Sequence, residues 1–286
     1  MTKFCRFNEN RLGVVEGDYL IDVTQSLALL PELRWPFPTA DLFIEKLADI
    51  RERARALSAT APRVPRDSAR IQAPIANPPK VIAAPVNYLR HQAEANADGG
   101  RFFDKDVKTI EHYGLFLKST TSVIGPDTPI PVPFPERRMD HELELVVVIG
   151  KPGRNIPPKA ALSYVAGYTI GLDMTLRGSE DRSLRKSLDG FSVLGPYLVT
   201  TDEIANPNDL KLELRVNGAL RQHASTRDLI FNVEQLIAYA SGFYTLFPGD
   251  VIYTGTPEGV GPVQPGDQLS CAIEGLGQMT VLVSRD

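Results

Sequence analysis

The run NYLRHQAE places His91 three residues before Glu94. Side chains at this spacing lie on the same face of a helical turn. The carboxylate can therefore hold the imidazole in one tautomer and leave the second nitrogen free to take a proton from water, which is the arrangement of general base catalysis. The same spacing also arises by chance, so the interpretation depends on which groups lie nearby in the fold.

A pair of carboxylates follows in the run DHELEL, at Glu142 and Glu144. Alternate residues of a strand point to one face, so these two side chains should lie together. Such a pair repels itself unless it binds a cation or faces solvent, and oxygen ligands favour Mg²⁺ or Mn²⁺, with Ca²⁺ as a structural substitute. The candidate third ligand is Asp173, which follows an apolar strand predicted over 164–172. Considered alone, the two glutamates fit the solvated face of an edge strand better.

Four further residues could contact a small anionic substrate. Lys118 and Lys186 could each provide a fixed cation for a carboxylate or a developing oxyanion, although most lysines are simply exposed. Arg177 could bind a substrate carboxylate through two hydrogen bonds or form an internal salt bridge. Thr256, in the run TGTP, could bring a hydroxyl and a backbone amide to an anion, or belong to an ordinary turn.

The three other histidines are given no role in the chemistry, and the sequence lacks the common nucleotide-binding and hydrolase motifs. His112 and His223 lie in polar segments, and His141 is expected to point away from the face that holds Glu142 and Glu144. The chain has no GxGxxG after a strand, no GxxxxGK[ST], no HExxH and no GxSxG. Nucleotide-dependent enzymes and serine hydrolases are therefore disfavoured.

The elements that must position these residues begin with a small α/β module. Strand patterns over Lys3–Phe7, Arg11–Glu16 and 19–23 are separated by turn residues, and apolar residues at helical spacing predict a helix over 39–57.

A proline-rich stretch, 62–85, follows this module. Proline removes the backbone donors that a helix or a central strand needs, so the stretch is interpreted as a linker or a rigid edge. We therefore predict a small N-terminal α/β domain over 1–75 and a catalytic domain over 76–286.

The second part of the chain has mainly β patterns. The run VNGA predicts a tight hairpin at Asn217 and Gly218, and a helix is predicted over 233–243 with Asn232 as its N-cap. The segment 99–113 is charged and opens with two glycines, and it fits a mobile lid and a solvated surface helix equally well. The strand candidates are Leu143–Ile149, 197–200, Lys211–Val216, 250–254 and 279–284.

Composition excludes several classes of protein. Among 286 residues, 43% are hydrophobic. The formal net charge is −4, and acidic and basic residues are interspersed, so the chain has no basic cluster of the kind that binds nucleic acid or an anionic membrane. No apolar stretch approaches the length of a membrane span. The two cysteines, Cys5 and Cys271, match no metal or redox spacing, so we expect reduced thiols in a cytoplasmic protein.

These motifs, in this order, resemble the fumarylacetoacetate hydrolase family. Six short stretches within roughly residues 80–265 carry the resemblance: NYLRHQAE, LFLKSTTSVIGP, DHELELVVVIG, GLDMTLR, KSLDGFSVLGP and PGDVIYTGTPEGVG. The resemblance implies a mostly β chain whose C-terminal domain is a distorted β-roll around the active site, with a small α/β N-terminal domain and a homodimer.

It also implies roles for individual residues. The metal triad of the family corresponds to Glu142, Glu144 and Asp173, its His–Glu dyad to His91 and Glu94, its substrate-facing lysine to Lys186, its strand-end lysine to Lys118, the arginine after the aspartate to Arg177, and the TGTP threonine to Thr256.

Three departures from the family pattern bear on the substrate. Glu180 stands where the family commonly has a glutamine, which should change the substrate tolerated or add a proton donor. His141 replaces a common tyrosine, and the segment between His91 and Phe116 is long, consistent with a larger lid.

The resulting hypothesis is a divalent-metal-dependent hydrolase that cleaves a carbon–carbon bond in an acylpyruvate-like β-diketo acid. We expect it to act through an enolate at the metal and a water activated by His91 and Glu94, with Lys186 stabilising the developing charge and Arg177, Thr256, Lys118 and Glu180 binding substrate. The alternative is a decarboxylase, isomerase or hydratase of 2-oxo acids on the same scaffold. A non-catalytic metal-binding module is a third possibility, which the complete set of polar groups disfavours.

Overall fold

The structure is a computed structural model that describes residues 2–97 and 106–285, and most of its regular elements are β-strands. The strands are β1 Lys3–Phe7, β2 Arg11–Glu16, β3 Tyr19–Asp22, β4 Arg63–Pro65, β5 Ile71–Gln72, β6 Val81–Ala83, β7 Phe116–Lys118, β8 Val123–Ile124, β9 Ile130–Pro131, β10 Met139–His141, β11 Leu143–Ile149, β12 Val165–Asp173, β13 Thr175–Leu176, β14 Ser192–Thr200, β15 Lys211–Val216, β16 Ala219–Ser225, β17 Val251–Tyr253, β18 Gly261–Pro262, β19 Gln268–Ile273 and β20 Gly277–Ser284.

Helices are short and lie around the sheets. They are α1 Leu42–Glu45, α2 Leu47–Ser58, α3 Leu89–Ala97, α4 Ile110–Tyr113, α5 Pro158–Ala161, α6 Arg182–Lys186 and α7 Val233–Phe243. The predicted mostly β class with α/β elements is confirmed.

The described strands form three sheets. The largest runs in the order β4-β3-β2-β1-β14-β12-β11-β17-β6-β7, with β5 beside β1 and β8 beside β14. A second contains β13, β10 and β18, and a third has the order β16-β15-β19-β20-β9. Every residue of β11 is buried, which explains its unbroken apolar sequence after Glu144: a strand covered on both faces needs no polar alternation.

Antiparallel pairing of β11 with β12 brings the candidate metal ligands together. Leu143 pairs with Leu172, so the end of β12 lies opposite the start of β11. The backbone amide of Asp173 donates to the carbonyl of Glu142 at 2.9 Å. Two carboxylates separated by some thirty residues of chain thus become neighbours through one strand register.

The N-terminal strands continue the same large sheet, because β1 pairs with β14 through Lys3–Val199 and Phe4–Leu198. The strand predictions at 3–7 and 11–16 are confirmed to the residue, and the third strand ends one residue earlier, at Asp22. The domain boundary near residue 75 stays a prediction.

The predicted helix over 39–57 is divided at Lys46 (φ −98°, ψ 13°). Asp41 caps the first piece by accepting from the amide of Ile44. Ile44 and Ile50 are both buried, yet residues six apart cannot share one face of a continuous helix. The interruption allows both to enter the core.

The predicted hairpin and the predicted C-terminal helix are confirmed. Asn217 (φ 50°) and Gly218 (φ 81°) connect β15 to β16, and a two-residue turn of this kind needs positive φ at both positions. Asn232 and Gln235 form a reciprocal capping box at the start of α7.

Part of the predicted lid, residues 99–105, lies outside the described residues. The last residues of the predicted lid form α4.

Cys5 and Cys271 are buried free thiols. Within the described ranges, every helix is too short or too polar to cross a membrane.

A tight contact behind the metal ligands gives a test of the fold. Gly171 pairs with Glu144 across β11 and β12, and a Cβ there would lie 2.5 Å from both Tyr253 Cε1 and Val146 Cγ2. We expect Gly171→Ala to lower the free energy of unfolding by about 1–3 kcal/mol through overpacking, as measured by urea denaturation. Gly242→Ala is the control, since that Cβ would meet nothing within 4 Å; equal midpoints for all three proteins would contradict this account.

Candidate metal centre and active site

Glu142, Glu144 and Asp173 form one buried cluster at the end of the β11–β12 pair. Their side chains can each present one carboxylate oxygen so that all three oxygens lie within 4.8 Å of one another. The residues are 4%, 2% and 1% exposed, so water cannot screen their mutual repulsion. A set of three carboxylate oxygens suits a hard divalent cation.

Two lysines neutralise part of this charge. The ammonium of Lys186 donates to Glu142 Oε2 at 2.6 Å and to Asp173 Oδ2 at 2.7 Å. Lys118, at the end of β7, donates to Asp173 Oδ1 and to the carbonyl of Phe191. Burial lowers the pKa of Lys118, against the opposing field of Asp173. Both lysines are therefore buried within the cluster, and neither is a surface residue; their roles toward substrate stay predictions.

The two glutamates differ in how well their charge is balanced. Burial alone would raise the pKa of Glu142, but the cations of Lys186 and Arg177, together with the field of His91, hold that pKa below its ordinary value. Burial and the nearby Asp173 raise the pKa of Glu144 well above its ordinary value. Glu144 is thus the carboxylate that most needs an additional cation, which is the requirement that a bound divalent ion would meet.

Arg177 is held by two internal carboxylates. Its Nε donates to Asp140 Oδ2 at 2.8 Å and its Nη2 donates to Glu142 Oε1 at 3.0 Å. Asp140 also accepts from Arg138 Nε at 2.7 Å. The salt bridge considered for Arg177 is present and holds the candidate metal ligand Glu142, while a contact with a substrate carboxylate stays a prediction.

The His–Glu dyad is assembled on α3. His91 is 5% exposed, and its Nδ1 lies 3.5 Å from Glu94 Oε2, which is longer than a hydrogen bond. Both oxygens of Glu94 accept from the amide of Gly259, at 3.0 and 3.1 Å. If the pair is the predicted base and its orienting group, this contact is expected to tighten when substrate binds.

The loop after β17 touches both halves of the site. The amide of Gly255 donates to Glu144 Oε2 at 2.6 Å, while Gly259 of the same loop holds Glu94. The hydroxyl of Thr256 donates to the carbonyl of Leu143 and accepts from Gln222 Nε2. Thr256 therefore fastens the loop to the carboxylate strand, and substrate contact by its hydroxyl stays a prediction.

Glu180 is paired with an arginine. Arg137 Nη1 and Nη2 donate to its two oxygens at 2.9 and 2.8 Å. These hydrogen bonds lower the pKa of Glu180. Contact of Glu180 with substrate stays a prediction.

Comparison with known proteins identifies the scaffold. The family model described as "Fumarylacetoacetate (FAA) hydrolase C-terminal" matches residues 80–284. The chain belongs to the fumarylacetoacetate hydrolase family. A maleylpyruvate hydrolase of Aquipseudomonas alcaligenes is 50% identical over 98% of this chain and 99% of its own length. A mitochondrial oxaloacetate tautomerase of Rattus norvegicus is 40% identical over 78% of this chain and 72% of its own.

A solved structure of the same fumarylacetoacetate hydrolase fold carries ligands. The maleylpyruvate hydrolase of Sphingobium sp. SYK-6, in complex with manganese(II) and pyruvate, has a TM-score of 0.84 and 36% identity, with 99% of each chain covered. Together with the buried triad, this confirms the predicted divalent metal cofactor. The predicted reaction class, hydrolysis of a carbon–carbon bond in an acylpyruvate-like acid, is confirmed as well.

Within this family member, sequence reasoning missed several residues that support the site. Asp140 lies two residues before Glu142, and the spacing of a third acid on the same strand face could have indicated its role. Gln222 donates to Thr256 and accepts from the amide of Leu143 at 2.9 Å. His141 is fully buried, and its Nδ1 lies 3.3 Å from Gln222 Oε1. This histidine, which replaces a tyrosine of the family pattern, therefore packs among the residues that support the carboxylate strand.

Removing one ligand tests the metal centre. We expect Asp173→Asn to weaken Mn²⁺ binding by at least about 100-fold, because even groups that only support metal ligands contribute 10–100-fold. The measurement is calorimetric titration of metal-free protein. Asp49→Asn, an exposed acid on α2, should leave the affinity within about 3-fold by the same measure; unchanged binding in Asp173→Asn would show that the ion lies elsewhere.

Proposed function

We propose that this protein hydrolyses acylpyruvates to pyruvate and a second acid, with maleylpyruvate as the first candidate substrate. The observation that carries the proposal is the full-length similarity to a maleylpyruvate hydrolase, combined with a buried carboxylate triad beside a His–Glu dyad. A related structure that contains pyruvate supports the identity of one product.

His91 is the group that takes a proton from water. Its Nδ1 faces Glu94, which leaves Nε2 as the basic nitrogen, and Gly259 keeps the carboxylate in place. The resulting hydroxide attacks the carbonyl of the acyl group, the bond to the pyruvate methylene carbon breaks, and that carbon is protonated. One water is consumed and two acids are released.

The remaining polar groups bind and orient. A divalent ion on Glu142, Glu144 and Asp173 supplies Lewis acidity when bound. Lys186, which reaches two of these ligands, provides positive charge beside the carbon that becomes negative. We assign Arg177 to holding Glu142.

Other contacts and properties remain proposals. Lys118, Thr256 and Glu180 are proposed to contact the substrate, and Arg177 could add a contact to its carboxylate. Mg²⁺ is proposed as an alternative ion, and a homodimer in the cytoplasm as the working form. Relatives that tautomerise oxaloacetate cover less of this chain, so hydrolysis is favoured over isomerisation, decarboxylation and hydration.

A histidine substitution tests water activation. We expect His91→Ala to lower kcat by about 10²-fold or more, because the general base is lost, while calorimetry shows Mn²⁺ affinity within about 3-fold, since the imidazole is not a ligand. His223→Ala removes an exposed imidazole, 63% accessible at its side chain, and serves as the control. A wild-type kcat in His91→Ala would exclude this role.

Metal removal and product analysis test the reaction as a whole. Incubation with EDTA should abolish turnover of maleylpyruvate, and added Mn²⁺ should restore it because the triad then regains its cation. Wild-type protein should release pyruvate and the acyl acid in equal amounts, as measured by chromatography. Release of CO₂, or of an isomer of unchanged mass, would show that the protein catalyses one of the alternative reactions and not hydrolysis. Full activity in metal-free protein would exclude the metal-dependent mechanism.

A further inference from the structure

Arg182 is the first residue of α6. It is a cation beside the site, and the proposed mechanism gives it no role. Within residues 2–97 and 106–285 its guanidinium makes no hydrogen bond and no ion pair, and its contacts are with two rings. Its Cζ lies 4.6 Å from the centroid of Tyr113 and 5.8 Å from that of Phe116. Burial lowers the pKa of Arg182, but arginine stays charged at neutral pH.

The position of Arg182 follows from Lys186, which lies four residues later on α6. Residues at this spacing are neighbours on one helix face, about 5–6 Å apart at Cβ. The ring of Phe116 links the two, since Lys186 Nζ lies 5.5 Å from its centroid. Arg182 therefore lies one helical turn from the lysine that reaches Glu142 and Asp173 directly.

Neighbouring arginines are used differently. Arg185 donates to the carbonyls of Glu180 and Leu176, and Arg137 is paired with Glu180. Arg182 instead presents an intact planar fork of donors, half-buried over aromatic rings. A carboxylate is the ligand that satisfies such a fork with two parallel hydrogen bonds. Among the described residues no acid forms an ion pair with Arg182, although Glu142 and Asp173 act on it electrostatically, so the fork of donors is available to a ligand carboxylate.

We propose that Arg182, backed by Tyr113 and Phe116, binds a second carboxylate on the acyl side of the substrate. This inference rests on the proposed acylpyruvate hydrolysis and deepens it. The pyruvate end lies at the triad, the acyl group extends past Lys186, and an acid group at its far end reaches the guanidinium. The site thereby selects acylpyruvates with an acidic acyl group over those with a neutral one, and the maleyl group is of the first kind.

Two substrates and three variants separate this role from a structural one. Maleylpyruvate carries the far carboxylate, and acetylpyruvate ends in a methyl group. We expect Arg182→Gln to lower the ratio of kcat/KM for maleylpyruvate to that for acetylpyruvate by about 10–100-fold, which is typical for loss of a charge-assisted pair. The change should lie mainly in KM for maleylpyruvate.

The lysine variant and a distant arginine complete the experiment. Arg182→Lys keeps the charge without the fork, so its ratio should fall between those of wild type and Arg182→Gln. Arg53→Gln removes an exposed arginine on α2 and should leave the ratio at the wild-type value.

Each remaining outcome decides against the proposal. Equal losses on both substrates in Arg182→Gln would make Arg182 a structural residue, and an unchanged ratio would place the far carboxylate elsewhere. If the wild-type protein hydrolyses neither acid, the proposed function itself fails and the acyl-side subsite fails with it. Wild-type turnover of both acids with no selectivity change in the variant overturns the subsite alone.

Discussion

The site depends on keeping several carboxylates in one small buried volume. Glu142, Glu144 and Asp173 can place oxygens within 4.8 Å of one another, and Asp140 lies just behind them. Charges buried in a low-dielectric interior are tolerated only when they are paired. Lys118, Lys186, Arg177 and Arg138 supply four cations against these four acids. A divalent ion would then make the pocket positive, which favours an anionic substrate.

One loop connects the carboxylate triad with the His–Glu pair. Gly255 holds the least balanced ligand, Glu144, and four residues later Gly259 holds Glu94 of the dyad. At Gly259 (φ 91°) a Cβ would lie 2.0 Å from the carbonyl oxygen of Arg221. Only glycine can therefore bring its amide to Glu94 here. Backbone amides of one loop thus hold a carboxylate of the triad and the carboxylate of the His–Glu pair.

Sequence patterns predicted the parts of this protein that follow from local rules. The strand of Leu143–Ile149, the Asn217–Gly218 turn and the cap at Asn232 each depend on a few adjacent residues. The grouping of Glu142, Glu144 and Asp173 was expected from the strand spacing of the two glutamates together with the family resemblance, since the pair alone fits a solvated strand better. What could not be predicted depends on tertiary contacts: the sequence around Arg177 does not reveal that Asp140 will occupy its Nε. The break at Lys46 likewise results from the need to bury both Ile44 and Ile50.

Glu180 shows how a departure from a family pattern can leave the charge of a site unchanged. A glutamate in place of a neutral amide adds a negative charge near a centre that is already rich in acids. Arg137 cancels it through a two-point pair and also donates to the carbonyl of Arg177 at 2.9 Å. The carboxylate of Glu180 is thereby anchored to the backbone of the residue that holds Glu142. Because a bidentate arginine–carboxylate pair fixes geometry as well as charge, Arg137 and Glu180 hold each other in one arrangement beside the backbone of Arg177.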